Sequence, residues 1–69
     1  MVDRLAETRR ELDDALEERE VAQQRFDEAI GTSPEWGAYQ RLRRATRRVT
    51  LADRELRHAA AEADRVLAP

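Results

Sequence analysis

Alanine recurs every seven residues in the second half of the chain, at Ala38, Ala45, Ala52 and Ala59. A seven-residue spacing returns to the same face of an α-helix, and in coiled coils that face contacts a neighbouring helix. The positions between these alanines complete an unbroken apolar seam: Ala38, Leu42, Ala45, Val49, Ala52, Leu56, Ala59, Ala63 and Val66. The pattern predicts one long amphipathic helix over about residues 34–67.

The first half of the chain predicts another helix, over about residues 2–30. This stretch contains no glycine or proline and consists mainly of residues with high helix propensity. Its seam is less regular, because Arg9, Arg19 and Gln23 interrupt the apolar residues Val2, Leu5, Leu12, Leu16, Phe26 and Ile30. A second set of alanines at seven-residue spacing runs beside this seam, at Ala15, Ala22 and Ala29.

Residues 31–33 predict a turn between the two helices. Gly31 can adopt the left-handed conformation that ends a helix, and Ser33 followed by Pro34 suits the start of the next one. Short connections between helices give antiparallel neighbours. The predicted fold class is therefore all-α, with residues 1–69 forming a single antiparallel two-helix hairpin of the coiled-coil kind.

Such a hairpin predicts self-association. The chain has 69 residues and no cysteine, so that neither disulfides nor thiolate metal sites can supplement its small core. Two helices that touch along one seam cover only one side of each, and a homodimer that closes a four-helix bundle would cover the rest. The residues predicted to contact a partner are Arg9, Arg19, Gln23, Trp36 and Tyr39.

A run of arginines in the second helix supports an alternative hypothesis. Arg41, Arg44, Arg47 and Arg48, with Arg43 between them, could contact phosphate groups along a helix. In plan, a short helical hairpin carrying such a run resembles the plasmid-copy-control Rop proteins. That resemblance implies a dimeric nucleic-acid-binding regulator. Against it, the pI is near 5.4 and no aromatic residue interleaves with the arginines, which favours a solvated, acid-neutralised surface.

The sequence does not predict an enzyme, a cofactor or a metal site. It has no glycine-rich phosphate loop and no Ser/His/Asp constellation. Glu55 and His58 have the spacing of a di-iron motif, but on this seam Glu55 is a flank residue and His58 points outward. The prediction is a non-enzymatic protein-interaction module, of the regulatory, adaptor or phage-accessory kind, with a protein partner.

Composition sets the expected location and origin. Charged residues make up 41% of the chain with a net charge of -2, and they interrupt every apolar run, which excludes a membrane span. We expect a soluble, cytoplasmic protein. All 13 basic residues are arginine and alanine is abundant, which favours a GC-rich genome.

Overall fold

The chain folds into two antiparallel α-helices joined by a short turn. A computed structural model describes residues 3–67. Helix α1 spans Arg4–Ala29 and helix α2 spans Glu35–Leu67, and the described residues form no strand. The resulting rod measures 58 × 17 × 13 Å. The predicted all-α hairpin is confirmed, while Val2, the predicted first residue of helix α1, lies outside the described residues.

Helix α1 begins at a capping carboxylate. Asp3 has an extended backbone, and its Oδ1 accepts hydrogen bonds from the backbone N–H groups of Leu5 and Ala6, at 3.1 and 3.4 Å. These two donors have no partner within the helix, and the negative charge lies at the positive end of the helix dipole. The first turn of the described helix therefore starts after Asp3.

The turn between the helices occupies residues 30–34 and depends on one glycine. Gly31 has φ +80°, so the predicted left-handed conformation is confirmed. The backbone N–H of Thr32 donates to the carbonyl oxygen of Ala29 at 2.9 Å, and the Thr32 hydroxyl donates to the same oxygen. Helix α2 starts where Ala38 N–H donates to the Pro34 carbonyl at 3.0 Å, one residue later than predicted.

Two ion pairs between the helices define their register. Arg4 Nη1 lies 3.3 Å from Glu62 Oε2, and Arg48 Nη1 contacts Glu18 Oε2. The segment from Arg4 to Glu18 in helix α1 therefore lies alongside the equally long segment from Glu62 back to Arg48 in helix α2. In this register the seven-residue repeats of small side chains coincide, and we name them together the small-residue ladder: Thr8 level with Ala59, Ala15 with Ala52, Ala22 with Ala45, and Ala29 with Ala38.

The small-residue ladder is the core of the hairpin. Among residues 3–66, no large side chain is fully buried, and the buried residues all belong to the ladder: Thr8, Ala15, Ala29, Ala45 and Ala59. Thr8 fits among alanines because its hydroxyl donates to the carbonyl oxygens of Arg4 and Leu5, at 2.9 and 3.1 Å. A buried hydroxyl that makes a hydrogen bond avoids the free-energy cost of burying an unpaired polar group. Thr8 thus acts as a fourth small residue of helix α1.

Helix α1 contacts helix α2 through the row of residues next to the predicted seam, which rotates the helix by about one residue position. Ala15 and Ala29 are buried, whereas their neighbours Leu16 and Ile30, both predicted seam residues, are 37% and 56% exposed. Small side chains let two helix axes approach to the near end of the ~8–10 Å range, and leucine in the same line would hold them apart. In helix α2 the alanine edge of the predicted seam is the contact line, although Val66 at its end is 83% exposed.

The two glycines give opposite predictions for alanine substitution. Gly31→Ala should lower the free energy of unfolding by about 1 kcal/mol, because φ +80° is strained for any residue with a Cβ. Gly37→Ala should raise it by about 0.5–1 kcal/mol, because Gly37 lies within helix α2 and an added Cβ meets nothing within 4 Å. Urea titrations followed by circular dichroism at one protein concentration measure both. Equal effects of the two substitutions would contradict the turn geometry.

The ladder predicts that one larger side chain in it is destabilising. Ala15→Leu should lower the free energy of unfolding by about 1–3 kcal/mol, because the buried site has no room for three more carbons. Ala61→Leu is the matched control, since Ala61 is exposed on helix α2 and should change stability by less than about 0.5 kcal/mol. Thermal unfolding of both variants gives the comparison. An Ala15→Leu variant as stable as the control would show that the axes are not in close contact there.

Candidate interaction surface

One long side of the rod carries most of the large apolar side chains, and the exposed Val21 and Leu51 lie outside it. The small-residue ladder occupies the line between the helices, so most leucine and aromatic residues lie to one side of that line. We name this side the apolar face. It is formed by Leu5, Leu12, Leu16, Phe26 and Ile30 from helix α1 and the turn, and by Trp36, Tyr39, Leu42, Val49, Leu56 and Ala63 from helix α2.

The apolar face is only partly covered within the hairpin. Its inner members are half-buried between the two helices: Leu12, Phe26, Leu42, Val49, Leu56 and Ala63. Its outer members are exposed: Leu5, Leu16, Ile30, Trp36 and Tyr39. A contiguous exposed patch of this kind is uncommon on a monomeric protein, in contrast to scattered apolar residues.

Three aromatic side chains stack at the turn end of the apolar face. The rings of Phe26 and Tyr39 are 5.8 Å apart and tilted by 53°, and those of Trp36 and Tyr39 are 5.7 Å apart and nearly parallel. Both distances are typical of favourable aromatic pairs. Trp36 is nevertheless 67% exposed, although its ring stacks on that of Tyr39. The Tyr39 ring thus packs against Phe26, while the indole of Trp36 stays exposed to solvent.

Two of the three polar interruptions of helix α1, Arg19 and Gln23, form one layer within the apolar face. Arg19 and Gln23 line a surface cleft with Leu16 of the same helix and Thr46 of helix α2. Gln23 Nε2 donates to Asp27 Oδ1 at 3.0 Å. Arg9 is exposed towards the far end of the same helix. These three of the five residues predicted to contact a partner thus lie on the open side of the hairpin and not in its core.

The opposite side of the rod, which we name the charged face, carries the ion pairs between the helices. The Glu18–Arg48 and Arg4–Glu62 pairs lie at its edges, and Ala22 lines the floor of a groove there. All four partners are more than two-fifths exposed, so each pair contributes only ~0.2–1 kcal/mol.

The charged face alternates between matched and unmatched layers. In the register of its ion pairs, Glu11 lies level with Glu55, and Arg25 lies level with Arg41, so that like charges face each other in these two layers. Like charges at this spacing repel when they are desolvated and are tolerated when water screens them. The charged face is therefore suited to remain in solvent.

The Glu18–Arg48 pair was missed by the sequence prediction. The predicted seam of helix α1 places Glu18 behind the helix, whereas the column of Ala15 and Ala29 as contact line brings Glu18 beside helix α2. The signal was present in the sequence, because Thr8 occupies the position that completes the alanine repeat. Hydrophobicity alone favoured the column of Leu16.

Arginines of the run divide between several sides of helix α2. Arg41, Arg44 and Arg48 line the groove of the charged face, together with the acidic residues Asp14, Glu17 and Glu18. Arg44 and Arg47 also line a smaller cleft, with Arg43 and Gln40. The arginines therefore form no single continuous row, although part of the run is clustered.

His58 makes a local contact on the exposed surface of helix α2. Its Nε2 lies 3.2 Å from Glu62 Oε1, one turn further along the helix, and its side chain is 66% exposed. Glu55 is also exposed. Within residues 3–66, no three carboxylate or imidazole groups converge as metal ligands.

Comparison of the chain with protein-family models, curated proteins and solved structures gave no match. Neither described helix has an apolar stretch long enough to cross a bilayer. The geometry of the two faces is thus the basis for a functional proposal.

Proposed function

We propose that this chain is a small, non-enzymatic protein–protein interaction module that acts through helix–helix association. The observation that carries the proposal is the apolar face, which the hairpin leaves open along its whole length. Exposed leucine, isoleucine and tryptophan side chains on one side, and charged layers on the other, give the rod one side to bury and one side to keep in water.

The extent of the exposed surface supports this proposal. The chain has an accessible surface of 5870 Å², whereas a compact monomer of its mass exposes about 4,450 Å². The excess of about 1,400 Å² is larger than the roughly 800 Å² that each partner buries in a standard protein interface.

The simplest partner is a second copy of the chain, in a homodimeric four-helix bundle. Two hairpins that meet through their apolar faces would enclose the half-buried leucines of both, while the charged faces stay outside. A twofold arrangement needs only one self-complementary patch. An interaction module of this kind suits a regulatory or adaptor role, in which helical surfaces bind a further protein.

The dimer predicts different effects for two exposed apolar residues of helix α1. Leu16 lies on the apolar face and Val21 on the charged face, with 37% and 46% exposure. Leu16→Asp should weaken the dimer at least about tenfold, because a buried leucine contributes ~1.5–3 kcal/mol and an unpaired carboxylate resists burial. Val21→Asp should leave it unchanged. Light scattering after size exclusion gives the mass of each variant.

The unmodified chain should have twice its monomer mass of 8.0 kDa in the same experiment. A monomeric mass at every concentration, with cooperative unfolding, would contradict self-association. Equal masses for Leu16→Asp and Val21→Asp would show that the interface is not on the apolar face.

Nucleic-acid binding is the second candidate function, and one observation favours it. Among the described residues, no carboxylate lies within 4 Å of the charged groups of Arg43, Arg44 or Arg47, which share a cleft with Gln40. Free guanidinium groups on one side of a helix can neutralise phosphates. The acidic residues beside Arg44 in the larger groove weigh against this reading.

A titration with mixed-sequence RNA and DNA at low ionic strength separates the two functions. For an interaction module we expect no binding. Binding that weakens steeply with added salt would support the second candidate if the double variant Arg44→Gln, Arg47→Gln reduced it. Arg65→Gln is the control, because Arg65 is also an exposed arginine of helix α2 but lies near its far end.

A further inference from the structure

Two charged rows border the apolar face, and they have opposite signs. On helix α1 the row is acidic, with Asp13, Glu20 and Asp27 at seven-residue spacing. On helix α2 the corresponding row is Arg43, Thr50 and Arg57. Each row lies beside the outermost residues of the apolar face on its helix. Glu20 is one helical turn after Leu16, and Arg43 is one helical turn after Tyr39. All six side chains are exposed, and Arg57 Nε lies 3.1 Å from Asp53 Oδ2 of its own helix.

Face-to-face packing of two hairpins has two twofold arrangements. If the twofold axis runs along the rods, the turns lie at the same end and helix α1 borders helix α2 of the second copy. If the axis runs across the rods, the turns lie at opposite ends and each helix borders its own copy. The charged rows distinguish the two, because the first arrangement sets acidic against basic rows and the second sets like against like.

We propose that the apolar face binds a second copy of this chain with both turns at the same end of the bundle. The inference rests on the proposed self-association and specifies its geometry. A twofold axis parallel to the rods leaves the position of each residue along the rod unchanged, so equivalent residues of the two copies lie at the same height. Asp13 then lies within about one helical turn of the second copy's Arg57, and Asp27 within about one turn of its Arg43. In each pair both side chains lean towards their own helix N terminus, and therefore towards each other.

The aromatic cluster at the turn supports the same orientation. Trp36 is 67% exposed and Ile30 is 56% exposed, both at the turn end of the apolar face. With turns together, the two clusters cover each other. With turns apart, each cluster would meet the end of the other rod, where Arg9 and the small side chain of Ala60 lie. Large aromatic side chains contribute most when both sides are covered.

The polar layer of the apolar face gives a third argument. Arg19, Gln23 and Thr46 interrupt the apolar side chains closer to the turn than to the other end of the rod. Turns at the same end place the two polar layers level with each other, so that apolar layers meet apolar layers. Turns at opposite ends would set this layer against Leu12 and Leu56. In helical assemblies a single polar layer fixes the orientation, because its side chains avoid apolar neighbours only when the same layer of the other copy lies opposite.

Spin labels at the turn measure the orientation directly. The natural chain has no cysteine, and Ser33 is exposed, so Ser33→Cys accepts one label per chain. With turns together, the two labels should be less than about 30 Å apart. With turns apart, the length of helix α1 alone separates them by about 40 Å or more. Double electron–electron resonance gives the distance, and light scattering gives the mass of the same labelled sample.

The two proposals fail in different ways in this experiment. A dimeric mass with a short distance supports the same-end orientation. A dimeric mass with a long distance overturns the orientation and leaves the self-association intact. A monomeric mass without dipolar coupling overturns both.

Charge reversal at one predicted pair is an independent test. Asp27→Arg and Arg43→Asp should each raise the dissociation constant of the dimer about tenfold, since each removes two ion pairs and creates two repulsions. The double variant should restore it. Glu28→Arg, on an exposed position next to Asp27, is the control and should have little effect. Single variants that bind as tightly as the natural chain, or a double variant that stays weak, would overturn the pairing.

Discussion

The close contact of small side chains along the line between the two helices determines the rest of this structure. Alanine against alanine lets the helix axes approach, but it leaves no space in the contact line for leucine or phenylalanine. Most of the large apolar side chains of both helices therefore lie to one side of that line, whereas Val21 and Leu51 lie outside it. The open apolar face is thus a direct consequence of how the hairpin is held together.

The same constraint limits the stability that the hairpin can have alone. Alanine offers little apolar area, and the larger side chains that could contribute ~1.5–3 kcal/mol each on full burial are only half-covered or exposed. Ion pairs on the charged face add little because they are solvated. Most of the apolar surface that could stabilise this fold is therefore left open by the hairpin alone, and covering it with a second molecule would link folding to association.

The two sides of the rod differ in how much free energy it would cost to bury them. The charged face combines two matched layers with two layers of like charge, which burial would make costly. The apolar face includes the polar layer of Arg19, Gln23 and Thr46 and the charged residues Arg9 and Asp53. Its other charges lie in rows along its borders, so that burial would leave those rows at a solvated rim. This asymmetry favours a single interface with a polar rim, which is the usual anatomy of a specific contact.

The sequence by itself determined the two helices, the turn and the antiparallel arrangement. Each depends on local physics: helix propensity up to Ile30, the positive φ that Gly31 can adopt, and a connection too short for any other path. The alanine repeats also indicated which small residues pack together. These signals need no knowledge of contacts between distant residues.

Only the tertiary structure decided which column of helix α1 faces helix α2. Hydrophobicity favoured Leu16 and Ile30, whereas close approach selected Ala15 and Ala29, because the distance between two helix axes depends on both helices at once. That rotation by one column brought Glu18 to Arg48 and turned Leu16 outward. Side-chain size in one helix limits the distance between the axes only when the other helix is packed against it. The sequence of one helix alone therefore cannot show which of its residues make the contact.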